Sequence, residues 1–141
     1  MAFKPGRIAW FALDNVAGSL TVLQPYIDDV SHSQTVDMLD VSAIGTTAKA
    51  FIPGLSDGDT IPLKGPYDVA IHTHLTALKA AQLGGSSTST FTYGPGGSVA
   101  SEAKTSGECW LSNYSHSTGV GGRVEWSASL QVSGAVTNGT W

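Results

Sequence analysis

Arg123-Val124-Glu125-Trp126-Ser127-Ala128-Ser129-Leu130-Gln131-Val132-Ser133 alternates apolar and polar residues almost without fault. Successive side chains of a strand point to opposite faces, so residues 123–133 read as a strand with one buried and one wet face. Val124, Trp126, Ala128, Leu130 and Val132 make the buried face; Glu125, Ser127, Ser129 and Gln131 lie on the wet one. A buried strand face needs further strands beside it and a layer over it. The wet face carries small hydroxyls and an amide. It reads either as a solvated outer face, as on many antiparallel sheets, or as the wall of a polar channel or a partner surface.

Working outward, the glycine-rich turn at 117–122 joins this strand to another at 106–115, as a hairpin. In that second strand Cys109 and Leu111 fall on one side and Glu108, Trp110, Ser112 and Tyr114 on the other. Residues 134–141 read as a final strand or tail. Upstream, Ser86 and Ser87 form a polar linker into a strand at 88–93, closed by the turn Gly94-Pro95-Gly96-Gly97.

Residues 68–83 form the one convincing helix. Asp68 is suited to N-cap it, Ile71, Leu75, Leu78 and Gln82 follow helical spacing, and Gly84-Gly85 ends it. Before the helix, residues 60–64 form a short extended piece that Pro62 confines to a sheet edge. Residues 45–65 are otherwise irregular, with turn residues set among the apolar Phe51, Ile52 and Leu55. Such a loop tip either folds back on its own core or docks on a neighbour. Residues 26–44 read as two strands or one bent strand with a bulge, or as a short helix at 33–39. Residues 7–13 make a first strand, and residues 1–6 an arm broken by Pro5-Gly6.

The chain has 141 residues, enough for one domain with a sizeable core. Its net charge is −4 and only 13% of residues are charged, so it lacks the basic patch that grips nucleic acid. Abundant Ser, Thr and Gly with sparse charge suits a surface hidden against copies of itself. No stretch approaches the ~20 apolar residues of a membrane helix, and no secretion signal is evident. The expectation is a soluble protein made in the cytoplasm. Cys109 is the single cysteine, which excludes an intrachain disulfide, fits a reducing compartment and reads as a buried, inert thiol.

The chemistry-bearing residues do not combine into a catalytic site. His72 and His74 lie about 200° apart on a helix and cannot share a metal; His32 and His116 have no ligand at metal spacing. Gly54-Leu55-Ser56-Asp57-Gly58 matches the pattern of a serine-nucleophile elbow, but Pro62 and the residues before it cannot start the helix that the elbow requires. Asp57 and Asp59 lack the spaced ligands and closing Glu of a calcium loop. Trp110 and Tyr114 on one strand face would suit sugar stacking, or a core or subunit interface. The expectation is no enzyme, no metal and no cofactor.

The run Leu39-Asp40-Val41-Ser42-Ala43-Ile44-Gly45-Thr46-Thr47-Ala48-Lys49-Ala50-Phe51-Ile52-Pro53-Gly54-Leu55-Ser56-Asp57-Gly58 resembles the D-V-T-x-x-G-x-T-A-K-x-F-I-P-G-L-x-D-G region of tail tube proteins from long, non-contractile-tailed phages. Phe91-Thr92-Tyr93-Gly94-Pro95, Ser106-Gly107-Glu108 and Ser127 to Thr137 resemble later segments of the same family in the same order. The likeness covers residues 7–141.

The resemblance implies a mainly β fold: a β-sandwich or partly open barrel with one flanking helix, its sheet lining the lumen of a ring assembly. It implies a homo-oligomer of stacked hexameric rings, through which DNA passes without tight binding. A long loop, residues 45–59 here, would reach the next ring, with Thr46, Thr47, Lys49, Phe51, Ile52, Pro53 and Leu55 as contacts. Glu125, Ser127, Ser129 and Gln131 become candidate lumen residues, since carboxylates and hydroxyls leave DNA mobile where lysines would hold it. The implied location is the virion tail, with tape measure, distal tail and terminator proteins as partners. The alternatives are a terminator or connector ring, a carbohydrate-binding module, or a small serine hydrolase built on Ser56.

Overall fold

The computed structural model describes residues 3–45, 47–85 and 88–141. The alternating stretch opens β9 (Glu125–Thr140), a strand of 16 residues. Trp126, Ala128, Leu130 and Val132 are buried as the pattern predicts, but Val124 precedes the strand and is 37% exposed. The final strand or tail expected at 134–141 is, through Thr140, the second half of the same strand. It continues because a bulge absorbs the break: residues 134–136 stand opposite Gly107 alone, and Gly134 takes φ +83, which favours glycine.

β9 pairs along its length with β8 (Ala103–Ser117). On the far side of β8 lie β7 (Ser89–Gly94), β1 (Trp10–Asp14) and the edge strand β2 (Leu20–Val22). On the far side of β9 lie β6 (Thr60–Pro66) and the two-residue β3 (Asp29–Val30). Every pair in this seven-stranded sheet is antiparallel. The mainly β expectation holds in its open form: the sheet keeps two edges and closes no barrel. Pro62 does not make β6 an edge strand. β3 pairs only with Leu63 and Lys64, so the edge is just beyond it and too short to need a donor from Pro62.

One face of the sheet is covered. Helix α1 (Val69–Gln82) lays Ile71, Leu75 and Leu78 against it, with its N-terminus capped by Asp68, whose Oδ1 accepts from the Ala70 amide at 2.8 Å. Leu23, Tyr26 and Ile27 complete the cover. Trp126, fully buried, donates its indole N–H to the Tyr26 carbonyl at 3.0 Å. That crossing runs so close to β6 that a Cβ on Gly65 would stand 2.0 Å from the Tyr26 oxygen.

The remaining pair stands apart. β4 (Thr35–Asp40) and β5 (Phe51–Asp57) form a separate two-stranded ribbon. The irregular loop expected at 45–59 therefore contains strand β5 at its centre, and most of the helix considered at 33–39 is strand β4. The imperfect alternation at 35–41 reflects apolar residues on both faces; the register shift between Val36 and Met38 puts its extra residue on β5, where residues 54 and 55 stand opposite Asp37.

Candidate assembly surfaces

The ribbon is the first candidate surface. On one of its faces lie Leu39 and Ile52, cross-strand partners, with Val41; on the other lie Met38 and Pro53, also partners, with Val36 and Phe51; Leu55 lies in the β5 bulge opposite Asp37. All of these residues are exposed, Leu55 to 82%. A lone two-stranded ribbon is at best marginal in water. Among the described residues nothing buries the apolar side chains on either face of this one. Its base is fixed: Gln34 and Asn138 exchange two amide hydrogen bonds, Thr35 donates to Asp59, and His32 Nε2 lies 3.1 Å from the Gly58 carbonyl. Gly58 passes tightly over Val132 and Val136 there. Of the predicted loop contacts, Phe51, Ile52, Pro53 and Leu55 stand on β5, and Thr47 and Lys49 are exposed in its turn. Thr46 lies outside the described residues.

The second surface is the uncovered face of the sheet. Glu125, Ser127, Ser129 and Gln131 all point to it, opposite Ser117, Ser115, Asn113 and Trp110 on β8. Ser115 and Ser127 share a hydroxyl hydrogen bond of 2.6 Å, and Ser112 donates to the Ser129 carbonyl at 2.9 Å. Arg123, just before the strand, bonds both Glu125 and Asp28. Farther along, Thr88 and Thr90 donate to Glu108 at 2.8 and 2.7 Å. Asp14 beside them has its pKa raised, first by burial and then by the Glu108 charge. The face is a field of hydroxyls and amides with fixed carboxylates.

Other sequence-level candidates separate or change character. Ser112 is a bulged residue, and it returns Tyr114 to the covered face, where its hydroxyl lies 2.9 Å from His72 Nδ1. Trp110 stays on the open face, so the two aromatics cannot form one sugar platform. Ser56 sits mid-strand in β5 rather than on a strand-to-helix elbow. The folding of β8 over the helix gathers Tyr67, His72, Tyr114 and His116, with the His72 and His116 rings 6.1 Å apart. Spacing along the chain carried no sign of this cluster, because the four residues span two elements and a linker. Among the described residues no three His, Cys, Asp or Glu side chains converge as a metal site would require. Cys109 is buried, and burial, aided by Glu108 and Asp14, pushes its thiol up to about 12. No helix among the described residues is long and apolar enough to cross a membrane.

Comparison with solved structures places this fold. The chain superimposes with TM-score 0.76 on the C6-symmetric tail of an empty gene transfer agent particle, at 13% identity over 96% of this chain and 98% of that one. It matches the SPP1 tail tube with TM-score 0.71, at 16% identity over 99% of this chain and 80% of the other. A third match is the sheath/tube terminator of an extracellular contractile injection system, TM-score 0.73, at 12% identity over 99% and 98%. No family model and no curated protein matches the sequence. At these identities the likeness is one of fold: the chain has the fold of phage tail tube proteins and of related tube and tube-end proteins.

Proposed function

We propose that this chain is a structural subunit of a tail tube, that it assembles into stacked hexameric rings, and that the rings form a conduit for DNA ejection. The observation that carries this reading is the β4–β5 ribbon. It is apolar on both faces and uncovered, on a chain that otherwise buries its apolar face well. Such a surface is stable in water only when neighbours cover it. The end-to-end fold likeness to tube subunits supports the same reading, and the C6 symmetry of the gene transfer agent tail supports six subunits per ring. The motif run at 39–58 supports the long, non-contractile class.

In this reading Thr46, Thr47, Lys49, Phe51, Ile52, Pro53 and Leu55 contact the next ring, and Glu125, Ser127, Ser129 and Gln131 face the lumen. Tape measure, distal tail and terminator proteins are the partners, and the subunit reaches the virion tail from the host cytoplasm. Phe51→Asp or Ile52→Asp should leave a folded monomer that cannot extend tubes; normal tubes from both variants would remove the ribbon from the interface. Ser127→Lys with Gln131→Lys should make the lumen retain DNA by counterion release. Unchanged delivery would place that face elsewhere. A tube-end ring is the second reading, favoured by the match to a terminator. It predicts closed single rings that do not stack.

A further inference from the structure

A groove of about 380 Å³ opens between residues 6–10, the end of β7 and the crossing at 24–30. That volume lies at the lower end of the range of built binding pockets, roughly 300–1,000 Å³. Its floor is aromatic and aliphatic, with Trp10, Phe11, Ile27 and Tyr93. Arg7, Asp28 and Asp29 also line it; Asp28 is paired with Arg123, whereas neither Arg7 nor Asp29 belongs to an ion pair among the described residues. No residue of the chain's own ribbon lines the groove.

The ribbon's turn end presents the complementary set. Phe51 and Met38 share one face, and Asp40 is the cross-strand partner of Phe51. Lys49 follows in the turn, exposed and without an ion-pair partner among the described residues. Asp40 is held ionised: hydrogen bonds from Ser42 lower its pKa. Ribbon and groove thus each carry an apolar centre flanked by one cation and one anion outside any ion pair among the described residues. Paired opposite charges at an interface fix register and reject wrong partners.

We propose that the ribbon tip of one copy seats in this groove of a second copy, with Phe51 against the Trp10 and Tyr93 walls, Lys49 toward Asp29 and Asp40 toward Arg7. This rests on the reading of the ribbon as a contact between copies and adds where it lands. The two ends of the contact are different surfaces, so it is head-to-tail and propagates rather than closing a pair.

Charge reversal tests it. Lys49→Asp, Asp29→Lys, the double variant and Phe51→Asp are compared with the unaltered chain by sedimentation across a concentration series at low salt. Each single reversal should weaken self-association at least about tenfold, and the double variant should recover to within about threefold of the unaltered chain. Single reversals without effect, or a double variant no better than the singles, would overturn the pairing while Phe51→Asp still abolished association. If Phe51→Asp associates normally, the ribbon is not a contact and both readings fall. Absence of any association by the unaltered chain at about 1 mM would likewise overturn the docking.

Discussion

The Tyr114 hydroxyl lies 2.9 Å from His72 Nδ1, joining the last third of β8 to the first half of α1. The contact exists because Ser112 is bulged. Without that extra residue Tyr114 would point to the open face, beside Trp110. Tyr114→Phe should therefore lower unfolding free energy by about 1 kcal/mol, the usual net worth of such a bond. Urea titration measures this, and combining it with His72→Phe should show coupling of the two losses. Additive losses would mean that the two side chains do not interact.

Gly65 marks where the crossing at Tyr26 touches the sheet. Gly65→Ala puts a methyl against a backbone carbonyl that is itself bonded to Trp126. The expected cost is about 3 kcal/mol or more, at the upper end of overpacking. Gly84→Ala is the control: nothing lies within 4 Å of its Cβ position, and thermal melting should barely distinguish it from the unaltered chain.

His74 gives the fold an acid-sensitive joint. Its Nε2 is buried without a hydrogen-bond partner, and burial lowers its pKa below the ordinary 6.5. The unfolded chain therefore takes up a proton first as the pH falls. Stability should drop as pH falls through 6.5 and level off below the folded-state pKa. His74→Leu should flatten that part of a pH–stability curve; an unchanged slope would assign it to other groups.

The Cys109 thiol, pushed up to about 12 by burial, holds almost no thiolate at neutral pH. A thiol reagent should leave the folded protein unlabelled and react once per chain in denaturant. Rapid labelling of the native protein would show that β8 opens locally.

The residues that alternate or repeat cleanly were legible. The pattern at 125–132 marked the start of β9, the spacing of Ile71, Leu75 and Leu78 marked α1, and Asp68 marked its cap. What the sequence hid has physical causes. The ribbon was masked because both of its faces are apolar, which erases the alternation of a half-buried strand, and because Pro53, Gly54 and Asp57 read as turn residues. The bulge at Ser112 reverses the faces beyond it, so Tyr114 was assigned to the wrong side; the two extra residues at 134–136 leave the faces unchanged but break the pattern at Gly134, so β9 was cut short. The Tyr67, His72, Tyr114 and His116 cluster depends on how β8 crosses the helix, which no local spacing encodes. Phe51, Ile52, Pro53 and Leu55 were nonetheless singled out, through the resemblance and through their apolar character in a polar setting.

The most direct test of the tube reading is negative-stain microscopy of the purified protein over a range of concentrations. Long hollow tubes of uniform width, lost in Phe51→Asp, are the predicted result. Closed single rings that never stack, whatever the concentration, would contradict it and assign the chain to a tube end.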